Sequence, residues 1–305
     1  MGLNSLNVLQ KPEYFFRPRQ ILRRILQGGA PKPEFAETIL PWGLKIRFHP
    51  KETIGASIWR AGVFDLGVSE TIWRLVEPGE GTLDVGANIG YMTGILARRA
   101  GRDGSVHAFE PHPEIFEELS RNVEGWKDDA KLAPIFATQV ALSDAAGTAE
   151  LILDESFETN RGTASLRTNS STDKIQRSVP VNTDTLKGLF EQDRQFGLMK
   201  IDVEGHEISV LKGGEDMFRR HRIRDVVFEE HADPPTQVTD FFVERGYTVF
   251  FIAKGFLGLN LFPLDTLPER NPFETPNYLA TNDPARALAL LKPKGWASIG
   301  YLDLG

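Results

Sequence analysis

Cysteine is absent from all 305 residues, and its absence removes disulfide scaffolds, thiolate metal sites and cysteine nucleophiles together. An excess of basic charge is lacking as well. Thirty-five Lys and Arg stand against 42 Asp and Glu, a formal net charge of −7, which argues against broad nucleic-acid binding. No uninterrupted apolar run reaches the length of a membrane span, so no stable membrane insertion is expected. Residues 1–10 lack the basic-then-apolar order of a secretory signal, and a cytoplasmic location is the resulting expectation. Two nucleotide-binding patterns are missing too: the dinucleotide fingerprint G-x-G-x-x-G and the P-loop lysine. What remains is an ordinary globular composition, 41% hydrophobic and 25% charged, in a chain long enough for a sizeable core.

The stretch Gly81-Thr-Leu-Asp-Val-Gly-Ala-Asn-Ile-Gly-Tyr91 organises the rest. Leu83 and Val85 read as a buried strand that ends in glycines, and Met92, Ile95 and Leu96 then take helical spacing. A glycine turn into a helix N-terminus is expected to bring backbone N–H groups close to a ligand. Asp84 stands near the end of this strand and Glu110 at the end of the next.

Ahead of it, residues 13–27 read as a short basic amphipathic helix, either packed on its own domain or offering a homodimer contact. Residues 38–48 read as two short strands around Trp42-Gly43, and helices are expected over 54–60 and 69–76. After it, strands and helices alternate. Strands are expected over 106–109, 135–142, 198–202 and 225–228, with helices over 91–99, 113–123, 207–217 and 237–245. Alternation of this kind predicts an α/β fold with a parallel, doubly wound sheet. Strand-like residues also cover 148–153 and 179–181, and residues 186–190 fit a helix. Residues 155–178, rich in Ser, Thr and Asn, read as a long surface loop or lid. The last strands, 247–252 and 278–280, are joined by an excursion carrying Phe256, Leu257, Leu259, Leu261 and Phe262, as core packing or as a pocket cover. The division is then 1–78 as an extension capping the main domain, 79–282 as that domain, and 283–305 as a C-terminal tail.

The glycines at 86, 90 and 94 leave Ala87 and Asn88 where a dinucleotide fold needs a second glycine near pyrophosphate. A ligand without pyrophosphate fits that turn. Glu110, twenty residues past Gly90, is placed to accept hydrogen bonds from a ribose diol. Together the two features select an adenosine without phosphates, of which S-adenosylmethionine is the common example.

Leu83-Asp-Val-Gly-Ala-Asn-Ile-Gly-Tyr91, Phe109-Glu-Pro111, Val140-Ala-Leu-Ser-Asp144 and Lys200-Ile-Asp-Val-Glu-Gly-His-Glu207 with Leu211-Lys-Gly213 resemble the FkbM family of S-adenosylmethionine-dependent methyltransferases. Pro41-Trp-Gly43 and Phe228-Glu-Glu-His231 are similar to it as well, whereas Val181 to Leu186 departs from the family's Leu-Asp. The resemblance implies a class I methyltransferase fold, Rossmann-like, with a seven-stranded, mostly parallel sheet and one antiparallel strand. It implies methylation of hydroxyl oxygens of sugars, glycans or natural products. Carried over residue by residue, Asp84, Gly86, Asn88 and Gly90 line the methionine and ribose portion. Glu110, with Pro111 beside it, holds the ribose hydroxyls, and Ala141 and Leu142 lie near the adenine. Asp202 faces the amino-acid end or the reaction centre.

An alcohol acceptor must lose its proton, so a base near the acceptor oxygen is expected. Candidates at strand carboxyl ends are Asp202, Glu204, His206, Glu229, Glu230 and His231. His231 is the first choice because imidazole titrates near neutrality, with Glu204 and Glu229 as alternatives. His206 reads as a solvated helix start. Oxygen ligation of a divalent cation by Asp202 with Glu229 or Glu230 is not demanded by the spacing, and no metal is expected. Two other readings compete: a non-catalytic adenosine-binding module, and a methyltransferase acting on nitrogen.

Overall fold

Leu198-Met199 and Val226-Val227-Phe228 alternate between two separate hydrophobic clusters, because successive side chains of a strand point to opposite faces. Both faces must therefore be covered. In the computed structural model, which describes residues 12–16, 32–153, 165–166, 177–190, 193–268 and 275–300, helices cover both.

The described chain opens with α1 (Pro12–Phe16), the hairpin β1 (Ala36–Ile39) and β2 (Lys45–Phe48), α2 (Thr53–Ala61) and α3 (Leu66–Leu75). The doubly wound part follows as β3 (Gly81–Val85), α4 (Tyr91–Ala100), β4 (Ser105–Phe109), α5 (Pro113–Trp126) and β5 (Ile135–Thr138). A side sheet comes next: β6 (Ala141–Leu142), β7 (Gly147–Leu153), β8 (Ser165–Leu166) and β9 (Arg177–Asp184). Then come α6 (Leu186–Leu189), β10 (Phe196–Ile201), α7 (Glu207–Gly213), α8 (Glu215–Arg219), β11 (Ile223–Glu229) and α9 (Gln237–Glu244). The chain closes with β12 (Thr248–Gly255), β13 (Gly258–Pro263), β14 (Asn277–Thr281), α10 (Pro284–Leu291) and α11 (Ala297–Gly300).

The main sheet has the order β13-β12-β14-β11-β10-β3-β4-β5. Strands β5, β4, β3, β10 and β11 run parallel, and β14 is antiparallel to both neighbours. Those six with β12 are the expected seven strands with one reversed. An eighth, β13, hairpins back on β12 at the edge and is a second antiparallel strand. It comes from the apolar excursion: Leu259 is buried in the core, while Phe256 and Leu257 at the hairpin tip are exposed.

Several boundaries differ from expectation. The single strand 135–142 is two, because after Thr138 the chain leaves β4, and Ala141–Leu142 pairs with β9 in the side sheet. The helix over 207–217 breaks at Gly214, which ends α7 and begins α8. Helix α3 starts at Leu66 rather than Ser69, since Asp65 caps it by accepting from Val68 N at 3.0 Å. Within the 155–178 stretch, Ser165–Leu166 pairs with β7 and Arg177 opens β9; its remaining residues but Ser178 lie outside the described ones. So does the helix expected over 13–27 beyond Phe16, and with it the surface offered for a homodimer.

The two ends of the chain share one core. Ile72 and Leu75 of α3 belong to the same buried cluster as Ala287 and Leu291 of α10 and Trp296 and Ile299 beyond it. The buried Glu70 carboxylate fastens them, accepting from Ala297 N at 2.9 Å and Ser298 N at 2.8 Å and pairing with Arg74 at 2.5 Å. No helix among the described residues is long and apolar enough to cross a membrane.

Candidate active site

Strand order reverses between β3 and β10, and open α/β sheets place their ligand crevice at such a point, outside the strand carboxyl ends. A cleft of about 350 Å³ lies there. Gly86, Asn88, Glu110, Pro111, Ala141, Leu142, Asp202, Glu204, Glu229 and His231 all border it. Sequence positions up to 145 residues apart are thus brought together by the parallel register.

The glycine turn works differently from expectation. Gly86 N and Ala87 N both donate to Phe109 O, at 3.0 and 2.9 Å. Asn88 N donates to Glu110 Oε2 at 3.0 Å, Ile89 N to Asn88 Oδ1 at 2.8 Å, and Gly90 N to Ala87 O at 2.9 Å. Every N–H from 86 to 90 is consumed within the protein, so the turn is no anion cradle. The glycines answer to packing instead. At φ +77, a Cβ on Gly86 would lie 1.9 Å from the Asp202 carbonyl oxygen, and at φ +90 one on Gly90 would lie 2.8 Å from Leu119 Cδ1.

Glu110 is buried with its two oxygens facing the turn: Oε1 accepts from His112 N at 2.9 Å while Oε2 holds Asn88. Each oxygen keeps a lone pair for a ligand hydroxyl. Burial pushes the carboxyl up to about 7, against the pull of the two N–H donors. Phe109, Ile115, Val140, Ala141, Leu142, Leu151 and Leu166 make an apolar slot beside it.

Asp84 and Gly90 stand behind the cleft wall, not on it. Asp84 is fully buried, with Oδ2 accepting from Thr93 Oγ1 at 2.5 Å and Oδ1 3.8 Å from Lys200 Nζ. Burial raises its pKa against the nearby Lys200. Lys200, which sequence reasoning left without a role, is the hub. Its ammonium donates to Gly86 O at 2.9 Å and lies 3.3 Å from Asp202 Oδ2. Burial works against that charge, yet Asp202 and Asp84 outweigh it and raise the pKa.

On the far side, Glu204 sits at φ +51 and borders the cleft just before Gly205. Glu229 is pushed up to about 8, first by burial and then by repulsion from Asp202, Glu204 and Asp65. His231 Nε2 lies 2.7 Å from Glu229 Oε1 with its ring largely in solvent. His206 is not a solvated helix start. It is half-buried on the cleft wall, with Nε2 2.9 Å from Ser143 Oγ, and burial lowers its pKa. Glu230 is not part of the lining; its carboxylate accepts from Ala232 N at 3.0 Å. Asp65 and Asn277 also escaped sequence reasoning. Both border the cleft, and Asn277 Nδ2 donates to Asp65 Oδ2 at 3.0 Å across 212 positions of chain. The helix-capping pattern at Asp65 was a readable signal; nothing local marks Asn277. Among the described residues no group of three or more His, Asp or Glu has the geometry to hold a metal ion.

The apolar slot beside Glu110 and the carboxyls of Asp65, Asp202, Glu204 and Glu229, an acid ring on the far side, suit different parts of one ligand, an apolar ring system at one end and positive charge at the other. A family model described as the methyltransferase FkbM domain matches residues 84–249. Over 192 residues the chain is 30% identical to hexuronic acid methyltransferase AglP of Haloferax volcanii, a match spanning 61% of this chain and 72% of that protein. It is 28% identical over 195 residues to methyltransferase sdnD of Sordaria araneosa, covering 55% and 73%. The crystal structure of methyltransferase FkbM from Methylobacillus flagellatus KT is similar at 14% identity and a TM-score of 0.45, covering 74% of this chain and 60% of that one.

Proposed function

The chain belongs to the FkbM family of methyltransferases, and from that premise we propose that it methylates a hydroxyl oxygen of a sugar, glycan or other natural product. The observation that carries the reading is the glycine turn with no N–H left for a phosphate, beside a buried acid open to the cleft. That combination fits a nucleoside without phosphates. S-adenosylmethionine supplies, when bound, a methyl carbon already activated by its sulfonium. The acid ring fits its positive charge, since a cation relieves the repulsion that Asp65, Asp202 and Glu204 exert on Glu229.

Each group of the chain then has a task. Glu110 accepts from the ribose hydroxyls, with Pro111 shaping the turn beside it, and Ala141 and Leu142 flank the adenine. Gly86, Asn88 and Gly90 hold the turn. Asp84 acts from behind the wall by fixing Lys200, which in turn orients Asp202 toward the amino-acid end. Glu204 and Glu229 border the acceptor. His231 takes the acceptor proton, because its imidazole is held at 2.7 Å by Glu229 and keeps a face to solvent through which the proton leaves. The chemistry needs mainly alignment, which a rigid sheet edge provides. No cation is assigned to Asp202, since the Lys200 ammonium already occupies its side. A name such as hexuronic acid methyltransferase for one relative supports a sugar acceptor here.

The test is incubation with methyl-labelled S-adenosylmethionine and pools of hydroxylated acceptors, followed by mass spectrometry of the labelled product. A methyl ether supports the reading. Label on nitrogen alone, or binding of adenosylhomocysteine with no product, overturns it.

A further inference from the structure

The strand order divides the cleft into a donor half and an acceptor half. Glu110 ends β4, and passing through β3 and β10 to β11 crosses three strand spacings, about 14 Å. With the nucleoside over β3 and β4, the acceptor must approach over β11 and β14, from the side of α3. Every titratable side chain of the described residues that faces this half is a carboxyl or a histidine: Asp65 at the start of α3, Asp202 and Glu204 after β10, and Glu229 and His231 after β11. The one lysine on the cleft wall, Lys200, is buried and already committed to Gly86 O and Asp202. The next cation, Lys254, favours ionisation of Asp65 from behind the wall; it pairs with Glu13 at 3.6 Å and is not part of the lining.

We infer that the cleft selects an uncharged polyhydroxylated acceptor and rejects one that carries a carboxylate, sulfate or phosphate near the methylated hydroxyl; this rests on the reading of the site given above. Two physical facts support it. Like charges brought together in a partly desolvated cleft cost far more than in water, and specificity is as often built from repulsion as from attraction. The carboxylates already feel one another, since Asp202, Glu204 and Asp65 all hinder ionisation of Glu229. An anionic acceptor would add to that repulsion, whereas sugar hydroxyls would donate to the same oxygens.

The experiment uses the full chain with labelled S-adenosylmethionine and a pool of glycosides and polyols split by ion exchange into neutral and anionic fractions. Label per mole of acceptor is expected to be at least tenfold higher in the neutral fraction. Asp65→Asn and Glu204→Gln, measured separately so that one misfolded variant does not decide the matter, should each narrow that ratio severalfold. Label concentrated in the anionic fraction, or a ratio that neither variant moves, overturns the inference. Absence of label from both fractions while adenosylhomocysteine still binds overturns the hydroxyl-methylation reading beneath it, and is told apart by that binding.

Discussion

The two halves of the cleft, proposed above for donor and acceptor, solve opposite problems with the same side chain, a glutamate carboxyl drawn out of solvent. Glu110 in the donor half is satisfied by two backbone N–H groups from within its own neighbourhood and meets an apolar slot. Glu229 in the acceptor half is surrounded by other carboxylates from two separate segments and lies 2.7 Å from His231. The first arrangement is complete without ligand and serves as a rigid template. The second stays electrostatically unrelieved until something positive or hydrogen-donating arrives, which is the condition suited to binding a cationic donor and activating a hydroxyl.

Lys200 joins the halves, so removing it should have the largest effect. Lys200→Met leaves Asp84 and Asp202 without their cation and should cost about 3 kcal/mol of stability, read from urea unfolding. An unchanged midpoint would mean that the two halves are not electrostatically linked. Next, His231→Gln should lower kcat roughly a hundredfold while leaving the affinity for adenosylhomocysteine intact. Loss of affinity instead would move His231 into the donor half. The mirror experiment is Glu110→Ala, which leaves Asn88 N and His112 N without acceptors and should weaken adenosylhomocysteine about a hundredfold in calorimetry.

The smallest effect concerns pH and sharpens the contrast most. Glu229 is raised in the folded protein from 4.5 to about 8, so the folded state holds its proton more tightly than the unfolded state does. Its contribution is fully present below pH 4.5 and is lost as pH rises through about 8, so stability falls across that window. Glu110, raised to about 7, adds a fall of the same sign that ends about one pH unit earlier. Glu229→Gln should therefore flatten the decline and melt a few degrees above the parent at pH 8, in melting curves taken from pH 5 to 9. A decline of unchanged slope would show that Glu229 is not the strained group.

The two halves were also unequally legible. Leu83 to Tyr91, with Glu110 at a fixed interval, announced the donor half, because a buried strand, its turn and the next strand end are a local pattern. Alternation of elements likewise announced the doubly wound sheet. The role of the turn's N–H groups was misjudged, since composition cannot tell whether a donor meets a ligand or the neighbouring strand's Phe109 carbonyl. The break after Thr138 was hidden because residues 135–142 read as one strand, whereas Ala141–Leu142 pairs with Thr183 and Asp184 of β9, far along the chain. Lys200 joins the halves, and Asp65 meets Asn277, only through contacts spanning 114 and 212 residues.

By itself the sequence determined the periodicities, and through them which faces are buried, where strands end in turns, and that an acid stands after the second strand of the doubly wound part. Only the tertiary structure decided which carboxylates converge, that a buried lysine ties them, and that an eighth strand closes the sheet edge. The reason is that a strand's period fixes the face its side chains take but says nothing of its neighbours. Neighbours follow from the order in which strands pair, and that order is set by packing the whole chain at once.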